Sequence, residues 1–170
     1  LARLMYGALR EKKWQVCRSD LPADLTQTLS VPASSLPALN VPAGFTFVAD
    51  PATAADGTLY AELLDARTGI GKLAAYRGGR WTLIETQEHI SCHASFPQVV
   101  EFGGERYLMP EIARCSPPAL LRLDANGTRV LDKIPLVGLE EERLVDCVLF
   151  AHDDSWYLFG SPSDSSSFRL

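Results

Sequence analysis

Ala49-Asp50-Pro51, followed by Asp56-Gly57-Thr58-Leu59-Tyr60, is the first of three stretches built alike. The second is Phe96-Pro97-Gln98-Val99-Val100, followed by Gly103-Gly104-Glu105-Arg106-Tyr107. The third is Val145-Asp146-Cys147-Val148-Leu149-Phe150, followed by Asp153-Asp154-Ser155-Trp156-Tyr157. Each is a short apolar strand, a two-residue turn signal, and a strand with Tyr four residues after the first turn residue. Tyr60, Tyr107 and Tyr157 lie 47 and 50 residues apart. A period near 50 with about four short strands per unit is the pattern of propeller blades, small sheets that bury both faces only by stacking on neighbours. An antiparallel sandwich whose hairpins happen to look alike is the competing reading.

The surrounding sequence fills in the units. Lys72 to Tyr76 and Trp81 to Ile84 are strand-like, and Arg77-Gly78-Gly79-Arg80 between them is a tight hairpin signal. Ala119 to Leu123 and Thr128 to Leu131 flank a second such turn, Asp124-Ala125-Asn126-Gly127. The units span about 45–88, 89–137 and 143 onward, with one helical turn as an option in Leu139 to Val145. Three blades do not close a ring. The opening Leu1-Ala2-Arg3-Leu4 and the final Ser165 to Leu170 predict a segment of a longer protein. Two regions follow: an N-terminal part, 1–44, and incomplete propeller blades one to three, 45–170. The first part holds a short helix near Leu4, Met5 and Leu9, a strand at Trp14 to Cys17, and a surface segment with Pro22, Pro32, Pro37 and Pro42. The Trp14 strand is expected to latch onto a last blade and protect a sheet edge.

Composition narrows the partners. The chain is 46% hydrophobic and 22% charged, so it can bury a core. Its net charge of −5 argues against a grip on a nucleic-acid backbone. No apolar run reaches the roughly 18 residues of a membrane span. Cys17, Cys92, Cys115 and Cys147 form no C-x-x-C pair, so the spacings of zinc and redox motifs are absent. They read as free thiols, and the compartment as reducing, cytoplasmic or similar. His89 and His93 stand four apart but precede a strand and lack a fourth ligand, so no metal and no cofactor is expected. Gly69-Ile70-Gly71-Lys72 is too short for a phosphate loop. Asn126-Gly127-Thr128 is a formal glycosylation acceptor that its turn role explains equally well.

Two groups of motifs resemble known proteins. Phe47-Val48-Ala49-Asp50-Pro51 with Leu59-Tyr60 is similar to the first-blade motif of family-43 glycoside hydrolases, five-bladed propellers whose blade-one Asp projects into a central funnel. Arg143-Leu144-Val145-Asp146, with Phe150 and Tyr157 to Gly160, resembles their third-blade motif, which supplies a second Asp. A closer likeness, over about three-quarters of the chain, is to the propeller domain of glucosamine inositolphosphorylceramide transferases and their bacterial homologues. Tyr6 to Leu9, Trp14 to Val16, Phe47 to Pro51, Gly71 to Leu73, His93 to Pro97 and Tyr107 to Glu111 resemble its motifs in order and spacing. The resemblance implies an all-β, five-bladed β-propeller, of which about three blades are present. It also implies a carbohydrate or glycoconjugate partner, with the remaining blades or a fused transferase domain alongside. Departures are Ala52 in place of a bulky apolar residue, Cys147 after Asp146 in place of Pro, and Asp65 alone at a paired acidic position. The hydrolases' general acid, a fourth-blade Glu, would lie beyond Leu170.

Asp50, Glu111 and Asp146 are the candidates for one acidic funnel. A glycosidase needs two carboxyl groups about the scissile bond, and a third nearby raises the acid's pKa by repulsion. The resemblance implies Asp50 as base and Asp146 as pKa modulator or hydroxyl ligand. Both are equally able to accept backbone N–H bonds at strand ends. Glu111 reads as a sugar ligand or a partner of Arg114, His93 as a donor to a hydroxyl, and Arg143 as the cation nearest Asp146. Trp81 and Trp156 read as core, or as sugar platforms if exposed. Three functions remain open. They are a glycan-recognising propeller of a sugar-transferring or polysaccharide-building protein, a family-43-type hydrolase, and a protein-interaction scaffold.

Overall fold

Glycine pairs and Asx turns divide the chain into strands too short to do anything but fold back on their neighbours. The computed structural model describes residues 14–18, 36–86 and 88–163. The helix expected near Leu4 to Leu9 lies outside them. The described residues are all-β, with ten strands in three antiparallel sheets, none closed. The first sheet is a meander of β1 (Phe45–Thr53), β2 (Leu59–Asp65), β3 (Gly71–Arg77) and β4 (Arg80–Leu83). The second repeats it with β5 (Ser95–Phe102), β6 (Glu105–Glu111), β7 (Ala119–Leu123) and β8 (Val130–Pro135). The third is a hairpin of β9 (Leu144–His152) and β10 (Ser155–Pro162). Phe45, Ser95 and Leu144 thus open three separate sheets near the boundaries the repeat predicts. The charged stretch after Leu136 is turn, not helix.

Turn chemistry sets the registers. Gly78 and Gly79, and again Gly103 and Gly104, take positive φ in two-residue hairpins, a conformation that side chains with a Cβ resist. Asp124 accepts the amides of Thr128 (2.8 Å) and Arg129 (3.0 Å), which turns the chain from β7 to β8. The first hairpin is longer, because Thr53 pairs with Leu59 around a five-residue loop.

The sheets stack in chain order. The first is buried on both faces. Tyr60, Leu73, Ala75 and Ile84 pack with Leu108, Ile112, Leu121 and Leu123 of the second sheet. Val48, Ala61, Leu63 and Ala74 pack with Val16 and Leu39 on the other side. Each fully buried aliphatic side chain contributes about 2 kcal/mol. Val16 anchors the short N-terminal strand. Leu39 donates its amide to the Val16 carbonyl (2.8 Å) and Arg18 to that of Pro37 (3.1 Å). Among the described residues the Trp14 strand pairs with the proline-rich segment. That segment offers the nearest open backbone, and Val16 gains an apolar seat there.

Between sheets one and two, Arg106 donates to Glu101 Oε1 (2.9 Å) and the Tyr60 hydroxyl (3.2 Å), and pairs with Asp56 (3.1 Å). Sheets two and three are joined by Gln98. Its carboxamide accepts from the Leu149 amide (2.6 Å) and donates to the Leu149 carbonyl (2.5 Å), continuing the backbone pattern from β5 to β9. The third sheet leaves Val148, Phe150, Tyr157 and Phe159 exposed, with the three aromatic rings stacked.

The cysteines differ from the expectation of four free thiols. Cys92 and Cys115 form a disulfide that joins the loop before β5 to the loop after β6. These loops run side by side over the first two sheets, so residues 23 apart in sequence meet. Cys17 and Cys147 are free. No helix of the described residues is long and apolar enough to cross a membrane.

Candidate functional site

One backbone feature recurs in all three sheets. Asp50, Phe96 and Asp146 take left-handed conformations, with φ of 51°, 46° and 52°. Each lies at a register shift in the first strand of its sheet. The residues just before them pair with Glu62, Glu111 and Ser161, so these three are equivalent places on the second strands. A bulge of this kind bends its strand and re-aims the side chain, and a non-glycine residue at positive φ carries strain that packing must hold. The repeat thus brings two sets of side chains, 50/96/146 and 62/111/161, to the same end of adjacent sheets.

Glu111, at the end of β6, accepts the amide of Asp146 through Oε2 (3.2 Å). It thereby ties the second sheet to the bulge of the third. Glu62 is the corresponding acid of the first sheet and is only 5% exposed. Its Oε1 faces His93 Nε2 at 3.4 Å, outside good hydrogen-bond geometry, and has no other partner. Gly71 donates its amide to His93 Nδ1 (2.9 Å), and Ala94 donates to the Gly71 carbonyl (3.0 Å). Because Nδ1 accepts, the ring proton sits on Nε2 and points at Glu62. A Cβ on Gly71 would strike Glu62 and come within 2.8 Å of both the Ala94 carbonyl oxygen and His93 Cε1. Glycine is what permits this close approach.

The electrostatics follow. Burial, reinforced by the charges of Asp50 and Glu111, pushes the Glu62 carboxyl up to about 7. Burial, then Arg114, lowers the His93 imidazole, while Glu111 and Asp50 pull the other way. Burial raises the thiol of Cys147, next to Asp146, to about 11, and Glu111 and Asp146 add to it. Asp50, Glu62, Glu111 and Asp146 therefore share one acidic field across three sheets. Burial within it favours the neutral forms of the Glu62 carboxyl and the His93 imidazole.

Of the residues expected from sequence, Asp50, His93, Glu111 and Asp146 come together here. Asp65 does not. It caps the turn after β2, accepting the amides of Arg67 and Thr68 (2.9 Å each), and pairs with Lys72 (2.9 Å). The Lys72 ammonium, then the Thr68 amide, hold its carboxyl well below the usual range. Arg143 is exposed and donates to the Glu142 carbonyl (3.0 Å). The cation that influences this site is Arg114. Glu62 was not expected, although an acid between Ala61 and Leu63 in an apolar strand is an anomaly visible in sequence. The disulfide flanks the site, since Cys92 precedes His93 and Cys115 follows Arg114.

Beside Asp50 runs a cleft of about 560 Å³, lined by the first strands of the sheets and by the Trp14 segment. No group of three or more His, Cys, Asp or Glu among the described residues is arranged to hold a metal ion. Converging carboxyls, a fixed imidazole and an adjacent cleft suit the binding of hydroxyl groups and repel anions such as phosphate. No family model, curated protein or solved structure matches this chain.

Proposed function

We propose that this chain is a glycan-recognising domain of β-propeller architecture, in a protein that transfers sugars or builds polysaccharide. The observation that carries this reading is the bulge repeated at Asp50, Phe96 and Asp146. It places the Asp50 and Asp146 carboxyls, from the first and third sheets, at the same end of their first strands. The stacking of equivalent meanders, each opening beside the last, supports the propeller, and the motif resemblance supports sugar as the ligand. In this reading Asp50, Glu111 and Asp146 accept hydrogen bonds from sugar hydroxyls. His93 faces the buried Glu62 behind them. Further blades or a fused transferase domain complete the protein. The Cys92–Cys115 disulfide favours an oxidising compartment over the reducing one expected from cysteine spacing.

A second reading is a hydrolase of the family-43 type with Asp50 as base. It is favoured by one observation, the burial of the Glu62 carboxyl beside Asp50 and Glu111. Burial, with the charges of Asp50 and Glu111, pushes the Glu62 carboxyl up to about 7, and a carboxyl with a raised pKa is what a general acid requires. Binding of the full chain to a glycan array, repeated with Asp50→Asn and Asp146→Asn, tests the first reading. Loss of the array signal in both variants is the expected result. Binding that survives both, or no glycan bound at all, overturns it. Release of reducing sugar from a bound glycan would move the assignment to the hydrolase.

A further inference from the structure

Trp14 is 64% exposed, yet two residues on, Val16 is 6% exposed and seated in the core against the first sheet. The strand that carries the indole is therefore anchored, and a large aromatic is held in solvent. Such exposure has no folding benefit, because burying an indole is among the larger apolar gains open to a chain. Trp14 lines the same 560 Å³ cleft as Asp50. That volume falls within the roughly 300–1,000 Å³ of small-molecule sites.

The chemistry of the wall is mixed in a particular way. Among the described lining residues, Trp14, Pro51, Phe96 and Pro97 are apolar, Asp50 is the one charged group, and Gln15 adds a carboxamide. No Lys or Arg is among the described lining residues. An anionic ligand would meet the Asp50 carboxylate, with no compensating cation among the described lining residues. A purely apolar ligand would strand Asp50 without a partner. A pyranose ring matches both features. Its C–H face lies against an indole, and its hydroxyls donate to a carboxylate and exchange hydrogen bonds with an amide.

We propose that Trp14 is the stacking platform of a pyranose subsite, completed by Asp50 across the cleft. The proposal rests on the glycan reading above and extends it. The site is built partly by the segment before the sheets, and that segment sets which sugar face is presented. The left-handed bulge at Asp50 holds the carboxylate, and the Val16 anchor holds the ring. Neither partner has to be ordered on binding, which favours affinity.

The test is calorimetric titration of the full chain with cellotetraose, xylotetraose and maltotetraose, and with tetramethylammonium as a cationic probe. It is repeated for Trp14→Ala, Trp14→Phe and Asp50→Asn, with circular dichroism as a check on folding. The expected result is binding of at least one tetrasaccharide, weakened about tenfold or more by Trp14→Ala and largely retained by Trp14→Phe. Quenching of Trp14 fluorescence by that sugar, absent in Trp14→Phe, is expected alongside and does not depend on the alanine variant folding. Sugar binding lost in Asp50→Asn but unchanged in Trp14→Ala overturns the platform and leaves the glycan reading standing. Binding of tetramethylammonium without any sugar overturns it in favour of a cation cage. Absence of all binding overturns both proposals.

Discussion

Glu62 shows how much one residue's surroundings set its behaviour. Its folded pKa of about 7 lies above the ordinary 4.5, so the folded state holds a proton that the unfolded state has released. Its contribution to stability is therefore fully present below pH 4.5 and is lost as pH rises through about 7. The gap corresponds to about 3 kcal/mol. Glu62→Gln keeps the shape and removes the ionisation. Urea unfolding is expected to find the variant more stable than the parent at pH 8, with the advantage gone at pH 4.5. His93, whose folded pKa is lowered, acts with the opposite sign just below its ordinary 6.5. A different trade-off holds at Asp50. Glycine relieves its left-handed strain, so Asp50→Gly is expected to unfold at the same or higher urea concentration, by up to about 1 kcal/mol, while losing glycan binding.

At the scale of strands, the sequence was readable where local chemistry decides and unreadable where tertiary contact does. The glycine-pair and Asx turns announced the hairpins, because only a few residue types accept those conformations. Asp50 and Asp146 stood out through motif likeness, but the bulges beneath them left no local trace. Phe96 has the same backbone and carries no acid at all. Glu62 escaped notice because its partner, His93, is 31 residues away and reaches it through the Gly71 amide. The disulfide escaped because sparse cysteines say nothing about which loops lie side by side. Tyr60 and Tyr107 project toward the next sheet's side and Tyr157 lies on the exposed face of the third, but the longer first loop moves Tyr60 two residues closer to the bulge. It pairs with Ala52, two residues past Asp50, whereas Val100 and Phe150 pair with the others four residues past theirs. The joint between β5 and β9 is a side chain, so one substitution addresses it. Gln98→Ala removes both bonds to Leu149. Hydrogen exchange at Leu149 and through β9 and β10 is expected to quicken at least tenfold, with β1 to β3 unchanged.

Among the described residues, burial of the sheet faces decreases along the chain. The first sheet is covered on both faces, the second carries the shared core, and the third exposes a stacked aromatic face. The union of the first two sheets depends on Arg106 as well as on apolar burial. Burial works against the Arg106 guanidinium, but bonds to Tyr60, Glu101 and Asp56 more than offset it and keep it charged. Arg106→Ala leaves Asp56 and Glu101 facing each other without that cation, and a loss of about 2 kcal/mol is expected in thermal or urea unfolding. The same stacking that forms this joint gathers the carboxyls, so architecture and ligand recognition stand or fall together. A crystal structure of the full chain with a bound oligosaccharide measures both at once. The expected result is a sugar ring at the bulge end of β1, β5 and β9, its hydroxyls within about 3 Å of the Asp50 or Asp146 carboxylate oxygens. A sugar seated elsewhere, with those carboxylates turned away from it, would contradict the account.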